Sequence, residues 1–272
     1  MASHLNEGFL TEHSPVPGYE FVRYLGRNGC IIYLARQLSS GKQVVLKVYD
    51  PWAAEFFRRQ EALLAQLDHP NILRVFETGE VKGRVYAAVE YVSRALADRL
   101  REGSLLAPEP AALTRTIALT LEYARDQGMT HMNLTPASIL LTDEGAPKLF
   151  DFGLMQFVEQ WDDRHWLLMR PAFSAPEDLA RFGHSVSPTA DVYRVGAAMY
   201  TMLTGQPPFA GDTREIVTAV LERPPARPRH LNAAVSRAVE AVCMKCLEKR
   251  PELRYASLQE LADDLGHLMK TG

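Results

Sequence analysis

Two short stretches hold most of the side chains in this 272-residue chain that could do chemistry: His131-Met132-Asn133-Leu134-Thr135-Pro136-Ala137-Ser138 and, further on, Asp151-Phe152-Gly153. Asp151 is a hard carboxylate donor of the kind magnesium selects. Asn133 is a neutral amide that takes up no proton at neutral pH, so position 133 offers no general base. Ser138 presents one weak neutral oxygen, a poor ligand for a hard cation. Cys243 and Cys246 have C-x-x-C spacing, but no second pair lies nearby to complete the four ligands of a structural zinc site. At i, i+3 the two thiols share one helix face, so the spacing favours packing within a helix.

The elements that must position these residues change character along the chain. Residues 1–17 are polar with Pro15 and Pro17 and read as a tail, so that the folded domain spans 18–272. From Tyr19 to about Tyr91 the pattern is strand-like, with runs at 21–25, 31–34, 44–48 and 85–89, interrupted by one helix expected over 52–67. Beyond Tyr91 the periodicity turns helical, with segments expected at about 109–127, 189–204, 213–222, 233–247 and 257–269. Gly205-Gln206-Pro207-Pro208 and Pro224-Pro225-Ala226-Arg227-Pro228 mark breaks between them. The pattern predicts an α+β fold with a small β-rich N-lobe at about 18–91, a hinge at about 90–93 and a larger helical C-lobe at about 94–272.

Composition narrows the classes. At 47% hydrophobic and 23% charged residues the chain is globular, and a formal charge of -3 with a pI near 6.3 gives no basic footprint for nucleic acid. No segment approaches the roughly 18 uninterrupted apolar residues of a membrane span, and the N-terminus lacks a cationic start followed by an apolar run. Three cysteines suit a reducing compartment, and the expectation is a soluble, cytoplasmic chain.

From about Tyr19 to Leu268 the order of motifs resembles a bacterial-type serine/threonine protein-kinase domain. Val44-Val45-Leu46-Lys47 resembles the strand ending in the phosphate-binding lysine, and His69-Pro70-Asn71-Ile72 the loop after the N-lobe helix. Asp151-Phe152-Gly153 and Ala175-Pro176-Glu177 then follow in the family's order. Asp191-Val192-Tyr193-Arg194-Val195-Gly196 resembles the helix whose aspartate supports the catalytic loop from beneath, and Arg254 the arginine that pairs with the glutamate of Ala-Pro-Glu, here Glu177. The resemblance implies a nucleotide site built from Lys47, Val45, the hinge at Glu90 and Val92, Leu140, Asp151, Gly26 and Gly29, with magnesium on Asp151. Phe152, Gly153, Glu177, Asp191 and Arg254 would be structural.

Several positions depart from the family pattern. Asn133 stands where the family has the aspartate that receives the substrate proton, Met132 where it has an arginine, Thr135 where it has a lysine and Ser138 where it has the magnesium-binding asparagine. Loss of a general base costs about 10²- to 10⁴-fold in rate. The stretch Leu25-Gly26-Arg27-Asn28-Gly29-Cys30 is one residue shorter than the glycine-rich loop, and Gly26 and Gly29 serve equally well as hairpin residues. Val45 adds two methyls where the family has alanine over the adenine, at about 1–3 kcal/mol if the site is tight.

Counting back from His69 places Gln60 at the position of the lysine's acidic partner. The periodicity puts Gln60 on a face with Phe56, Leu63, Leu64 and Leu67 and Glu61 about 100° away, solvated by default unless the helix is twisted or shifted to bring it inward, so which of the two faces Lys47 stays open. Between Gly153 and Phe173 there is no Ser, Thr or Tyr, so no phosphorylation switch operates there, while Phe157, Trp161, Trp166, Leu167, Leu168 and Met169 make the segment apolar. The two tryptophans either pack back on the domain or form an aromatic interaction surface. The resemblance with these departures implies a pseudokinase: weak ATP and magnesium binding at most, little or no phosphotransfer, and action through a protein partner, either an active kinase or another part of the full-length protein. The alternative is a weakly active or divergent ATP-dependent Ser/Thr kinase or nucleotidyl transferase.

Overall fold

A computed structural model describes residues 16–27, 30–51, 54–152, 170–180 and 187–271. The chain divides into two compact units, one of residues 1–68 and 73–91, the other of residues 69–72 and 92–272.

The first unit is a five-stranded antiparallel sheet with one helix. Its strands are β1 (Tyr19–Arg27), β2 (Cys30–Gln37), β3 (Gln43–Tyr49), β4 (Val75–Val81) and β5 (Arg84–Glu90), in the order β1-β2-β3-β5-β4. Alternation along β3 sends Val44, Leu46 and Val48 to one face, where they meet Ile31, Tyr33 and Ala35 of β2 and Tyr86 and Ala88 of β5. Val16 is buried in that same core, so the core takes in a residue of the stretch expected to be a tail. Helix α1 (Ala54–Leu64) ends before residue 67, where the expected helix ended. Strands β4 and β5 join through Lys82 and Gly83, both at positive φ, as a two-residue hairpin turn requires.

The second unit opens with a three-stranded sheet of β6 (Arg94–Ala95), β7 (Ile139–Leu141) and β8 (Pro147–Leu149). Its helices are α2 (Leu96–Arg101), α3 (Glu109–Asp126), α4 (Pro176–Ala180), α5 (Pro188–Thr204), α6 (Thr213–Glu222), α7 (Pro228–Leu231), α8 (Arg237–Cys246) and α9 (Leu258–Thr271). Helix α5 is buried on every side from Ala190 to Leu203, which makes it the axis of this unit. Its start is set by Ser187, whose hydroxyl accepts from Ala190 N, followed by Pro188, and its end by Gly205 in the left-handed region. Gly196 lets α8 approach closely, since a Cβ there would lie 2.4 Å from Cys246 Cβ. Cys243 and Cys246 are both buried on the face of α8 that meets α5, and burial pushes both thiols far up from their ordinary range.

Candidate functional site

In the first unit Lys47 lies near the end of β3, paired in register with Ile32 and Ala87, and is almost fully buried. It shares its strand face with Val45, which is half-buried opposite Val89, and with Tyr49. Tyr49 stacks on Phe57 of α1 at 3.9 Å between ring centres, and its hydroxyl donates to Glu61 Oε1.

The buried face of α1 is therefore Phe57, Gln60, Glu61 and Leu64, an i, i+3, i+4, i+7 stripe, and Glu61 is 1% exposed. This corrects the expectation of a solvated Glu61. The helix is turned so that the carboxylate points inward, and the tyrosine two residues beyond Lys47 supplies a hydrogen bond that burial of a carboxylate demands. Gln60 is buried beside it. Gly26, in β1 opposite Ile32, has φ +154 with open space where a side chain would be. Gly29 lies outside the described residues. Glu90 closes β5, its amide donating to Arg74 O at 2.9 Å.

In the second unit, Val92 is half-buried where the chain enters it, and Leu140 is half-buried on β7 opposite Lys148. Residues 131–138 are held largely by their own hydrogen bonds. Met132 is buried with φ +56, and Asn133 N donates to His131 O at 2.7 Å. Thr135 caps a 3-10 turn over Pro136–Ser138: its hydroxyl accepts from Ala137 N, and Ser138 Oγ accepts from Thr135 N and donates to Thr135 O, each at 3.0 Å. The Ser138 hydroxyl is thereby turned back into its own loop.

Asp151 is half-buried at φ +61, a left-handed conformation that aspartate tolerates better than most residues. Phe152 is fully buried, with its ring 4.7 Å from that of His131. Burial lowers the His131 pKa to about 4, against smaller opposing effects led by Asp151, so the ring is neutral at physiological pH. Gly153 and residues 154–169, including Phe157, Trp161, Trp166, Leu167, Leu168 and Met169, lie outside the described residues.

Glu177 and Arg254 form a bidentate pair at 2.7 and 2.9 Å. Arg254 also donates to the carbonyls of Glu248, Lys249 and Thr189. Asp191 is buried in α5. Its two carboxylate oxygens are taken by guanidinium groups, one by Arg194 at 2.6 Å and the other by Arg125 of α3. Arg194 in turn reaches Asp178 at 2.7 Å. Sequence reasoning missed Arg125, Asp178 and Arg194. The available signal was a charged residue three positions after Asp191 in an otherwise apolar helix.

The donor set fits one magnesium ion through Asp151, since magnesium uses one or two carboxylates and completes its shell with phosphate oxygens and water. It does not fit a second at Ser138, where the only oxygen is neutral and already engaged. Beside the loop, an open groove of about 340 Å³ is lined by Leu100, Thr135, Pro136, Arg170 and Phe173 among others. Among the described residues no helix is long and apolar enough to cross a membrane.

Residues 19–265 match the model of the protein kinase domain family. The chain belongs to that family and has its α+β fold. It is 34% identical over 262 residues to the DNA damage-responsive serine/threonine-protein kinase RqkA of Deinococcus radiodurans, covering 90% of this chain and 38% of the relative. It is 32% identical over 273 residues to the serine/threonine-protein kinase PknJ of Mycobacterium tuberculosis, covering 93% of this chain and 46% of the relative. The chain thus spans less than half the length of these relatives. A crystal structure of Rad53 residues 1–466 in complex with AMP-PNP superposes with a TM-score of 0.76 at 22% identity, covering 92% of this chain and 65% of that one, a likeness of fold.

Proposed function

We propose that this protein-kinase domain is a pseudokinase, with little or no phosphotransfer, that works as a protein-binding scaffold or allosteric regulator. The observation that carries the reading is Asn133, an amide at the position where phosphoryl transfer to a hydroxyl needs a proton acceptor. The Thr135–Ser138 capping box supports it, because the oxygen that stands in for a metal ligand is spent on holding the loop's shape. A loop whose shape rests on its own hydrogen bonds suits an architectural part. The groove beside it offers a protein partner a place to seat.

The second reading is a weakly active or divergent ATP-dependent kinase or nucleotidyl transferase. It is favoured by the retained Lys47 and Asp151, and by relatives named as serine/threonine-protein kinases. Nucleotide binding fits both readings, and the Rad53 structure was obtained with AMP-PNP. Incubating the chain with ATP labelled separately on the α- and γ-phosphates separates the two. No transferred label of either kind is expected. Robust metal-dependent transfer that Asp151→Ala abolishes would overturn the pseudokinase reading. Thermal titration with ATP, with and without magnesium, tests binding by itself, since a ligand at 100 times its dissociation constant stabilises by about 2.7 kcal/mol.

A further inference from the structure

Arg194 is the one arginine on the fully buried stretch of α5, and it is 2% exposed. Removing a guanidinium from water costs several kcal/mol, which is recovered only when its donors are well matched. Here they meet two carboxylates. Nη2 donates to Asp178 Oδ2 at 2.7 Å and Nη1 to Asp191 Oδ1 at 2.6 Å. Asp178 is fully buried, and the same Oδ2 accepts from Ala175 N at 3.1 Å. Arg125 donates to the second oxygen of Asp191, so the row Asp178, Arg194, Asp191, Arg125 alternates in sign and carries no net charge. Burial alone would lower the Arg194 pKa, but Asp178 and Asp191 more than offset it and hold the guanidinium above its ordinary value.

This row joins two parts of the chain that are otherwise separate in sequence: residues 175–178, which open α4, and the middle of α5. The stretch before them, from Gly153 to Phe173, has no hydroxyl that could carry a phosphate, and Met132 could not receive one. An arginine to carboxylate pair needs no modification to form. We propose that Arg194 and Asp178 form a permanent latch that fixes residues 175–178 on α5 without phosphorylation, so that this end of the segment holds one conformation at all times. The latch stands whether or not the domain transfers phosphate.

Amide hydrogen exchange of the whole chain tests it. In Arg194→Met, exchange at residues 172–180 is expected to rise at least tenfold while α6 and α9 keep their rates. Asp178→Asn should loosen the same amides, and the double variant should exchange no faster than Arg194→Met alone, because the two side chains act as a unit. Should Arg194→Met fail to fold, Arg194→Lys keeps the charge but lacks the fork that reaches two carboxylates, and should fold with the same local loosening. Unchanged exchange at 172–180 in the variant that folds, equal acceleration throughout the second unit, or additive effects of the two substitutions would each overturn the latch.

Discussion

His131 ties the stability of this domain to pH by an amount that can be worked out. Its ring is wholly buried against Phe152 and its pKa falls from 6.5 to about 4, so the native state refuses a proton that the unfolded chain accepts. A group depressed in this way costs nothing above pH 6.5, where both states are neutral, and withdraws stability as pH falls from 6.5 towards 4. At 1.36 kcal/mol per pKa unit the full loss is about 3.4 kcal/mol, and at pH 4.5 it is about 2.5 kcal/mol.

Other carboxylates titrate in the same window, so the measurement is a double difference. The wild type and His131→Phe are melted at pH 7.5 and 4.5, and the change between the two pH values is compared. Phenylalanine keeps an aromatic ring against Phe152 but cannot be protonated. Melting points move by about 2–4 °C per kcal/mol in domains of 150–250 residues, so the wild type should lose about 5–10 °C more than the variant. Equal losses in the two proteins would refute the reasoning.

Arg254→Ala should destabilise by about 3–5 kcal/mol in urea titration, because Glu177 and three carbonyls lose a fully buried partner. Gly196→Ala should cost about 1–3 kcal/mol by the same measurement, since its new Cβ meets Cys246 Cβ and the α5 to α8 contact must open. Lys249 donates to Val220 O at 2.6 Å, and burial followed by repulsion from Arg254 lowers its pKa from 10.5 to about 8. The unfolded chain then holds the proton more tightly, so this residue's contribution to stability should rise between pH 8 and 10.5. Lys249→Met should flatten that rise in thermal melts.

The sequence was most readable where local chemistry and burial agreed. Helices α5 and α6 fall close to their expected spans because Pro188, Gly205 and the Asp212 to Glu215 capping box set their ends through short-range contacts. Strand β4 was not visible: it is an edge strand whose Glu77-Thr78-Gly79-Glu80 faces mostly outward, so it carries no apolar alternation. Helix α1 was found with Gln60 inward, but Glu61 was assigned to water, and the hydrogen bond it accepts from Tyr49 on the neighbouring strand was not visible in the sequence. The substitutions at 133, 135 and 138 were legible one by one. Their joint result, a turn capped by its own hydroxyls, depends on backbone geometry that residue types alone do not set.

The thiols of Cys243 and Cys246 give the molecule an internal clock. Both lie at zero exposure between α8 and α5, with burial holding them protonated, so an alkylating reagent finds neither nucleophile nor access in the closed state. Reaction at these two sites proceeds only through openings that part α8 from α5. The rate at which Cys243 and Cys246 are alkylated in the native protein, read site by site and apart from Cys30 on β2, therefore measures how often the central helix is laid bare, with no denaturant present.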